Sequence, residues 1–250
     1  MRTTVFGSSF PANATATIRA RCVSRDRTTA AKPNLHDHLS GELLLFMPCA
    51  ATARFVVALG GVPGSGKSYL SERIVDAVNV ICGTDVAMAV SMDGFHLTKQ
   101  QLLAMDDPKL AMLRRGAPWT FDACAFVDLV KQLREHPDST VLAPSFDHAV
   151  GDPKQNDIAI EPRHRIVVIE GLYAHVNEMP WLQAHQYFDE AWWVCAADEQ
   201  VCYERLISRH VAAGLAADRT QAVQRISAND AINGGYSETH RCQPSKIIYN

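Results

Sequence analysis

No C-x-x-C pair occurs in this sequence, and the cysteines number seven, an odd count: Cys22, Cys49, Cys82, Cys124, Cys195, Cys202 and Cys242. That argues against a zinc ribbon and against a disulfide-stapled scaffold. Reduced cysteines in an intracellular protein are the simpler expectation. Bulk positive charge is missing too. Lys and Arg total 24 against 27 Asp and Glu, a net charge of −3, so composition offers no reason to expect nucleic acid or an anionic membrane as partner. Nor is there a long apolar run. The longest, "LLLFMPCAATA" between Glu42 and Arg54, contains Pro48 and is too short to cross a bilayer as a helix.

What is present is ordinary globular composition. Of the 250 residues, 47% are hydrophobic and 20% charged, which suffices for one large α/β domain or two small ones. Residues 1–40 stand apart. They are rich in Thr, Ala, Ser and Arg, with one acid, Asp26, before residue 36. Either a mitochondrial-type presequence or an unstructured tail without an address has this composition. The location is therefore cytoplasmic, or mitochondrial if the tail is a presequence. The segment is set aside, and a single folded domain is expected over residues 54–250.

The folded part opens with "FVVALG" at 55–60, a continuous apolar run that reads as a buried parallel strand. After "GVPGSGKS", Leu70, Ile74, Val78 and Ile81 recur at helical spacing. "VAMAVSM" (86–92), "RIVVIEG" (165–171) and "AWWVCA" (191–196) read as further buried strands, and "KIIYN" (246–250) as a last one. Asp122 is placed to cap a helix whose apolar face is Phe126, Leu129, Val130 and Leu133. A second helix, 198–214, ends at Gly214. Strands alternating with helices imply an α/β fold: a parallel sheet covered on both faces, with ligands outside the carboxyl ends of its strands.

Gly61-Val62-Pro63-Gly64-Ser65-Gly66-Lys67-Ser68 fits G-x-x-x-x-G-K-[ST] and sits between a strand and a helix. In such a loop the backbone N–H groups surround phosphate oxygens, and the helix adds its positive end. Lys67 then reaches the β- and γ-phosphates, and the Ser68 hydroxyl serves as a ligand to Mg²⁺. Glu170, ending "IVVIE", is the candidate acid beside that metal; an ordinary strand-end Glu is the plain alternative. Asp93, in "SMDGFHLTKQQL", follows the strand after the loop's helix. It can accept a proton from an attacking hydroxyl, or merely form a turn before Gly94.

These segments and others lie in a familiar order. "GVPGSGKS", "MDGFHLT" (92–98), "RRGAPWTFD" (114–122), "PSFDHAVGDP" (144–153), "IEGLY" (169–173), "RLISRHVAAG" (205–214) and "NDAING" (229–234) together resemble the phosphoribulokinase/uridine kinase family of P-loop kinases. Within it they are most similar to the branch of the yeast ATP-dependent kinase Yfh and bacterial proteins labelled fructose-transport kinases. The resemblance runs from about residue 54 to the end. It implies a three-layer P-loop kinase fold with a helical lid, using ATP and Mg²⁺. It implies that Asp93 is the catalytic base and, with Ser68 and Glu170, part of the metal site. Arg205 and Arg209 match the lid-helix arginines, and their i, i+4 spacing puts both on one face. Tyr69 stands in the nucleotide loop where relatives carry Thr, and Ala231-Ile232 where they often carry Leu-Pro. His96, Arg114, Arg115, Phe146, Asp147, His148 and Tyr173 fall in loops that the resemblance assigns to the substrate. His96 could equally pack beside Phe95, and Arg115 could meet an anionic substrate group or a salt bridge within its loop.

The expected activity is transfer of the ATP γ-phosphate to a hydroxyl of a small molecule: a nucleoside, a sugar or a pantothenate-like alcohol. A homodimer is allowed. The alternative is a nucleotide-dependent switch or ATPase without an acceptor. No N-K-x-D segment supports a guanine switch, and "LSGEL" at 39–43 lies upstream of the loop, the wrong side for a transporter-ATPase signature. A catalytically dead nucleotide-binding partner fits poorly with Lys67, Ser68, Asp93 and Glu170 all present.

Overall fold

The computed structural model describes residues 35–46, 53–147 and 149–250. Its first element is helix α1 (Leu35–Phe46), followed by strand β1 (Phe55–Gly61), helix α2 (Lys67–Cys82) and strand β2 (Ala87–Ser91). A single 3-10 turn, Met92–Phe95, leads to short helices α3 (Lys99–Leu103) and α4 (Pro108–Leu113), then α5 (Ala123–Glu135). Strands β3 (Val141–Asp147) and β4 (Asp152–Ile160) form a separate antiparallel hairpin. β5 (Ile166–Glu170), α6 (Leu182–His185), β6 (Glu190–Cys195) and α7 (Glu199–Ala212) follow. The chain then runs through α8 (Arg219–Arg225), a π-helical turn (Ile226–Asp230), α9 (Ala231–Thr239) and β7 (Lys246–Tyr249).

Among the described residues, five strands form one parallel sheet in the order β2-β5-β1-β6-β7. Alternation along β1 divides the core. Val56 and Ala58 face α5, where Phe126, Leu129, Val130 and Leu133 are buried as expected. Phe55, Val57 and Leu59 face α2 through Leu70, Ile74 and Val78. β1 connects outward past β5 to β2, whereas β5 connects past β1 to β6. The crevice between the carboxyl ends of β1 and β5 is therefore the topological switch point, where an open parallel sheet binds its ligand.

α1 lies partly within the segment set aside as a tail, and the boundary expected near residue 54 is too late. Leu39 and Leu43 are fully buried against α2 and the strands. The Ser40 hydroxyl donates to Ile74 O at 3.1 Å, and Glu42 pairs with Lys246 on β7. The apolar i, i+4 pair decides this, against a local composition that reads as coil. The remainder of the expected tail, residues 1–34, lies outside the described residues. No helix among the described residues is long and apolar enough to cross a membrane.

Removing residues 1–48, and with them α1, is expected to lower thermal stability. Leu43→Ala, which empties a fully buried site, should cost about 2–5 kcal/mol in urea unfolding. An unchanged urea midpoint in that variant would detach α1 from the fold.

Candidate active site

The loop after β1 is shaped by two left-handed glycines. Gly64 has φ 82° and Gly66 φ 89°, a conformation that L side chains rarely adopt. A side chain at Gly64 would also press on Cys202, whose Sγ lies 3.1 Å from Pro63 O. Ser65 N donates to Val62 O at 3.2 Å, closing the turn, and α2 starts directly at Lys67. Within the loop the Ser65 hydroxyl is buried with no partner. An unpartnered hydroxyl, a glycine-built cradle and a helix N-terminus are what a bound phosphate chain requires, so these residues fit a nucleoside triphosphate. Gly61, Val62 and Pro63 supply backbone to the cradle. Tyr69 projects from the first turn of α2 into solvent, with the Arg73 guanidinium 5.7 Å from its ring centroid.

Lys67 is half-buried, and loss of solvent pushes its pKa down; the Glu170 and Asp93 carboxylates act against that shift. Glu170 ends β5, in register with Leu59 of β1 and Ser91 of β2. Burial pushes its carboxyl pKa up. Lys67 opposes the rise, as do hydrogen bonds from Ser91 and Ser68, while the Asp93 charge adds to it. Ser68, Glu170 and Asp93 are thus neighbouring oxygen donors that would suit a cation if one bound here. Among the described residues no group of three His, Cys, Asp or Glu forms a metal centre. Two carboxylates and a hydroxyl, completed by phosphate oxygens and water, suit Mg²⁺ better than a softer metal.

Asp93 lies in the 3-10 turn after β2, which Ser91 caps by accepting from Asp93 N at 3.3 Å. Its carboxylate is half exposed, at 49%. His96 Nδ1 lies 2.8 Å from Asp93 O, and the imidazole packs at a tilt against Phe121 at 4.0 Å and Phe146 at 5.0 Å. The turn is pressed against the hairpin so closely that a side chain at Gly94 would collide with the Pro144 carbonyl.

Arg205 and Arg209 of α7 line a cleft of about 190 Å³ with Gly64, Gly66, Lys67 and Ser68. Arg209 also reaches Asp230 at 3.7 Å, the acid that holds buried His210 at 2.9 Å. The substrate-side residues divide. Arg115 is bound to Asp152 at 2.8 Å and to Leu97 O at 3.0 Å, the salt bridge within its own neighbourhood. Asp147 caps its turn, accepting from Ala149 N at 2.8 Å and Val150 N at 3.1 Å. Tyr173 is fully buried, its hydroxyl donating to Gly116 O at 2.6 Å, and burial raises its pKa. Phe146 and His96 face the Asp93 turn. His148 lies outside the described residues.

Several neighbours of the site carry no motif of their own. Ser91 adjoins both acids. Asn250 Nδ2 donates to Ser65 O at 3.0 Å, clipping the crest of the phosphate loop. Asn229 and Asn233, inside "NDAING", hold the loop that contains Arg114 and Arg115. For the asparagines only that segment's place in the resemblance was a signal.

Comparison with known proteins agrees with this geometry. The model of the Phosphoribulokinase / Uridine kinase family matches residues 56–227. A Schizosaccharomyces pombe protein named "Putative uridine kinase C227.14" is 37% identical over 195 residues, 78% of this chain and 83% of that one. The crystal structure of a "putative fructose transport system kinase" from Silicibacter sp. TM1040 superposes with a TM-score of 0.74 at 30% identity, covering 85% of this chain and 98% of that one. YFH7 from Saccharomyces cerevisiae, titled "a putative P-loop containing kinase with a circular permutation", gives 0.75 at 20% identity, over 86% of this chain and 98% of that one. The last likeness bears on the fold alone.

β1 itself rests on His175, which is fully buried and has Nε2 3.2 Å from Ala58 O. Burial pulls its pKa down to about 4. The imidazole is therefore neutral when folded and protonates on unfolding near pH 6.5. Its contribution is complete above pH 6.5 and is lost as pH falls through 4, by up to about 3 kcal/mol. Unfolding free energies across that window should show the loss, and His175→Gln should flatten it. An equally steep acid limb in the variant would contradict this role.

Proposed function

The chain belongs to the phosphoribulokinase/uridine kinase family of P-loop kinases, and from that premise we propose that it moves the γ-phosphate of ATP to a hydroxyl of a small molecule in the presence of Mg²⁺. Nucleosides, sugars and pantothenate-like alcohols are the candidate acceptors. One observation carries the proposal. At the switch point, a half-exposed carboxylate, Asp93, stands at the end of β2, and buried Glu170 lies between that strand and the phosphate loop. The more exposed acid is free to take a proton from a hydroxyl that enters from solvent. The buried one is held beside Lys67 and Ser68, where a cation would sit.

Phosphoryl transfer needs positioning and charge neutralisation more than covalent chemistry. The acceptor oxygen attacks the γ-phosphorus as its proton passes to Asp93, and the bond to the β-γ bridging oxygen breaks to release ADP. Lys67, Arg205 and Arg209 offset the charge that builds on the phosphoryl oxygens. Ser68 and Glu170, with the Asp93 oxygen not engaged with the acceptor, would hold Mg²⁺, which when bound would offset charge on the triphosphate. Phe146 and His96 present an aromatic wall to the acceptor.

With an acceptor panel and Mg·ATP, Asp93→Asn should keep nucleotide affinity but lower transfer by at least ~100-fold, a typical share for general-base help. Near-normal transfer in that variant would sink the base assignment. Lys67→Ala should weaken Mg·ATP binding and turnover together, read by equilibrium dialysis and ADP release.

A further inference from the structure

Two adjacent arginines enter the acceptor side with opposite fates. Arg115 is neutralised by Asp152 at 2.8 Å. Arg114 is held by neutral groups: Nη1 donates to Ala228 O at 2.7 Å and Nη2 to Asn233 Oδ1 at 2.9 Å. Asn233 is buried at 4% exposure, and its own Nδ2 donates to Asn229 Oδ1 at 3.3 Å. Asn229 Nδ2 in turn donates to Arg115 O at 2.9 Å. The guanidinium is thus fixed in direction while its charge is left without a carboxylate partner among the described residues. The neighbouring acids are engaged elsewhere, Asp152 with Arg115 and Asp230 with His210 and Arg209.

Its loop adjoins the Asp93 turn: Tyr173 donates to Gly116 O two residues beyond Arg114 at 2.6 Å, its ring meets Phe121 at 5.4 Å, and Phe121 lies 4.0 Å from His96, three residues after Asp93. The helix that holds Arg114, α9, abuts the phosphate loop where Gly234 meets Pro63. A half-buried guanidinium without a counter-charge is costly, and a planar fork held by two carbonyl oxygens is pre-organised for an oxyanion. An aspartate at 233 would have neutralised Arg114 internally; the carboxamide orients it without doing so.

We propose that the phosphate acceptor carries an anionic group, a phosphate or a carboxylate, and that Arg114, oriented by Asn233, binds it. This rests on the kinase function proposed above and narrows its acceptor class. Neutral nucleosides and free sugars are then the poorer candidates.

The test uses matched acceptors with the full-length protein, Mg²⁺ and ATP: a sugar against its monophosphate, and pantothenate against the corresponding neutral alcohol. The charged member of at least one pair should be preferred by tenfold or more in kcat/KM, and which pair responds separates phosphate from carboxylate. Arg114→Gln should cut kcat/KM for the charged acceptor by about 10–100-fold, mainly through KM, the range of a hydrogen bond to a charged group. The loss on its neutral twin should be at least tenfold smaller. Arg114→Lys, which keeps the charge, should retain part of the preference. Equal or better use of neutral acceptors, still dependent on Asp93, overturns the anionic acceptor and leaves the kinase function standing. So does a rise in KM for Mg·ATP in Arg114→Gln with the acceptor KM unmoved. ATP consumption that no acceptor stimulates overturns both.

Discussion

The proximity of half-buried Lys67 to buried Glu170 is the constraint around which the site is arranged. Each side chain alone would be driven towards its neutral form by burial, and each acts to keep the other charged. Such a pair is tolerable only with further hydrogen bonds, and Ser68 and Ser91 supply them to the carboxylate. The sheet order makes the encounter unavoidable. β5 lies between β1 and β2, so the last residue of β5 falls between the phosphate loop and the Asp93 turn. An incoming triphosphate and cation would replace this mutual dependence with a fuller set of opposite charges. The pair therefore holds a site that is structured before its ligands arrive.

Around that centre two layers of support differ in kind. The nucleotide half is backbone: left-handed glycines, a helix start and the Asn250 clip. The half around the arginine loop is a side-chain network, in which the π-helical turn and the start of α9 bring Asn229, Asp230 and Asn233 to one region. From there they reach the arginine loop and the lid helix, while Gly234 meets the phosphate loop. A π-helical turn inserts one residue into a helix and shifts the faces that follow, and such turns often accompany functional sites. Ala231 and Ile232 continue the helix from that turn into α9.

Much of this was legible in the residues because its physics is local. Continuous apolar runs marked all five strands of the parallel sheet, and Asp122 caps α5 by accepting from Ala125 N at 2.9 Å. Glycine spacing identified the phosphate loop. What escaped depends on distant partners. The hairpin was not expected: β4, "DPKQNDIAI", is largely exposed and polar, and Pro144 sits in β3 beside a register shift. Arg54 marked only a boundary in the sequence. In the fold it is buried, with its guanidinium donating to four backbone carbonyls from Leu133, Ser139, Glu161 and His164. α1 was hidden by the composition of its surroundings. Arg114 and Arg115 are indistinguishable in sequence, and only the placement of Asp152 and Asn233 separates them.

The central claim is that a hydroxyl, not water, receives the phosphoryl group. Phosphorus NMR of ATP incubated with the full-length protein, Mg²⁺ and each candidate acceptor observes this directly. The account predicts a new phosphate-ester resonance that grows in step with ADP for at least one acceptor, with little inorganic phosphate. ADP accompanied only by inorganic phosphate, whatever acceptor is present, would contradict it.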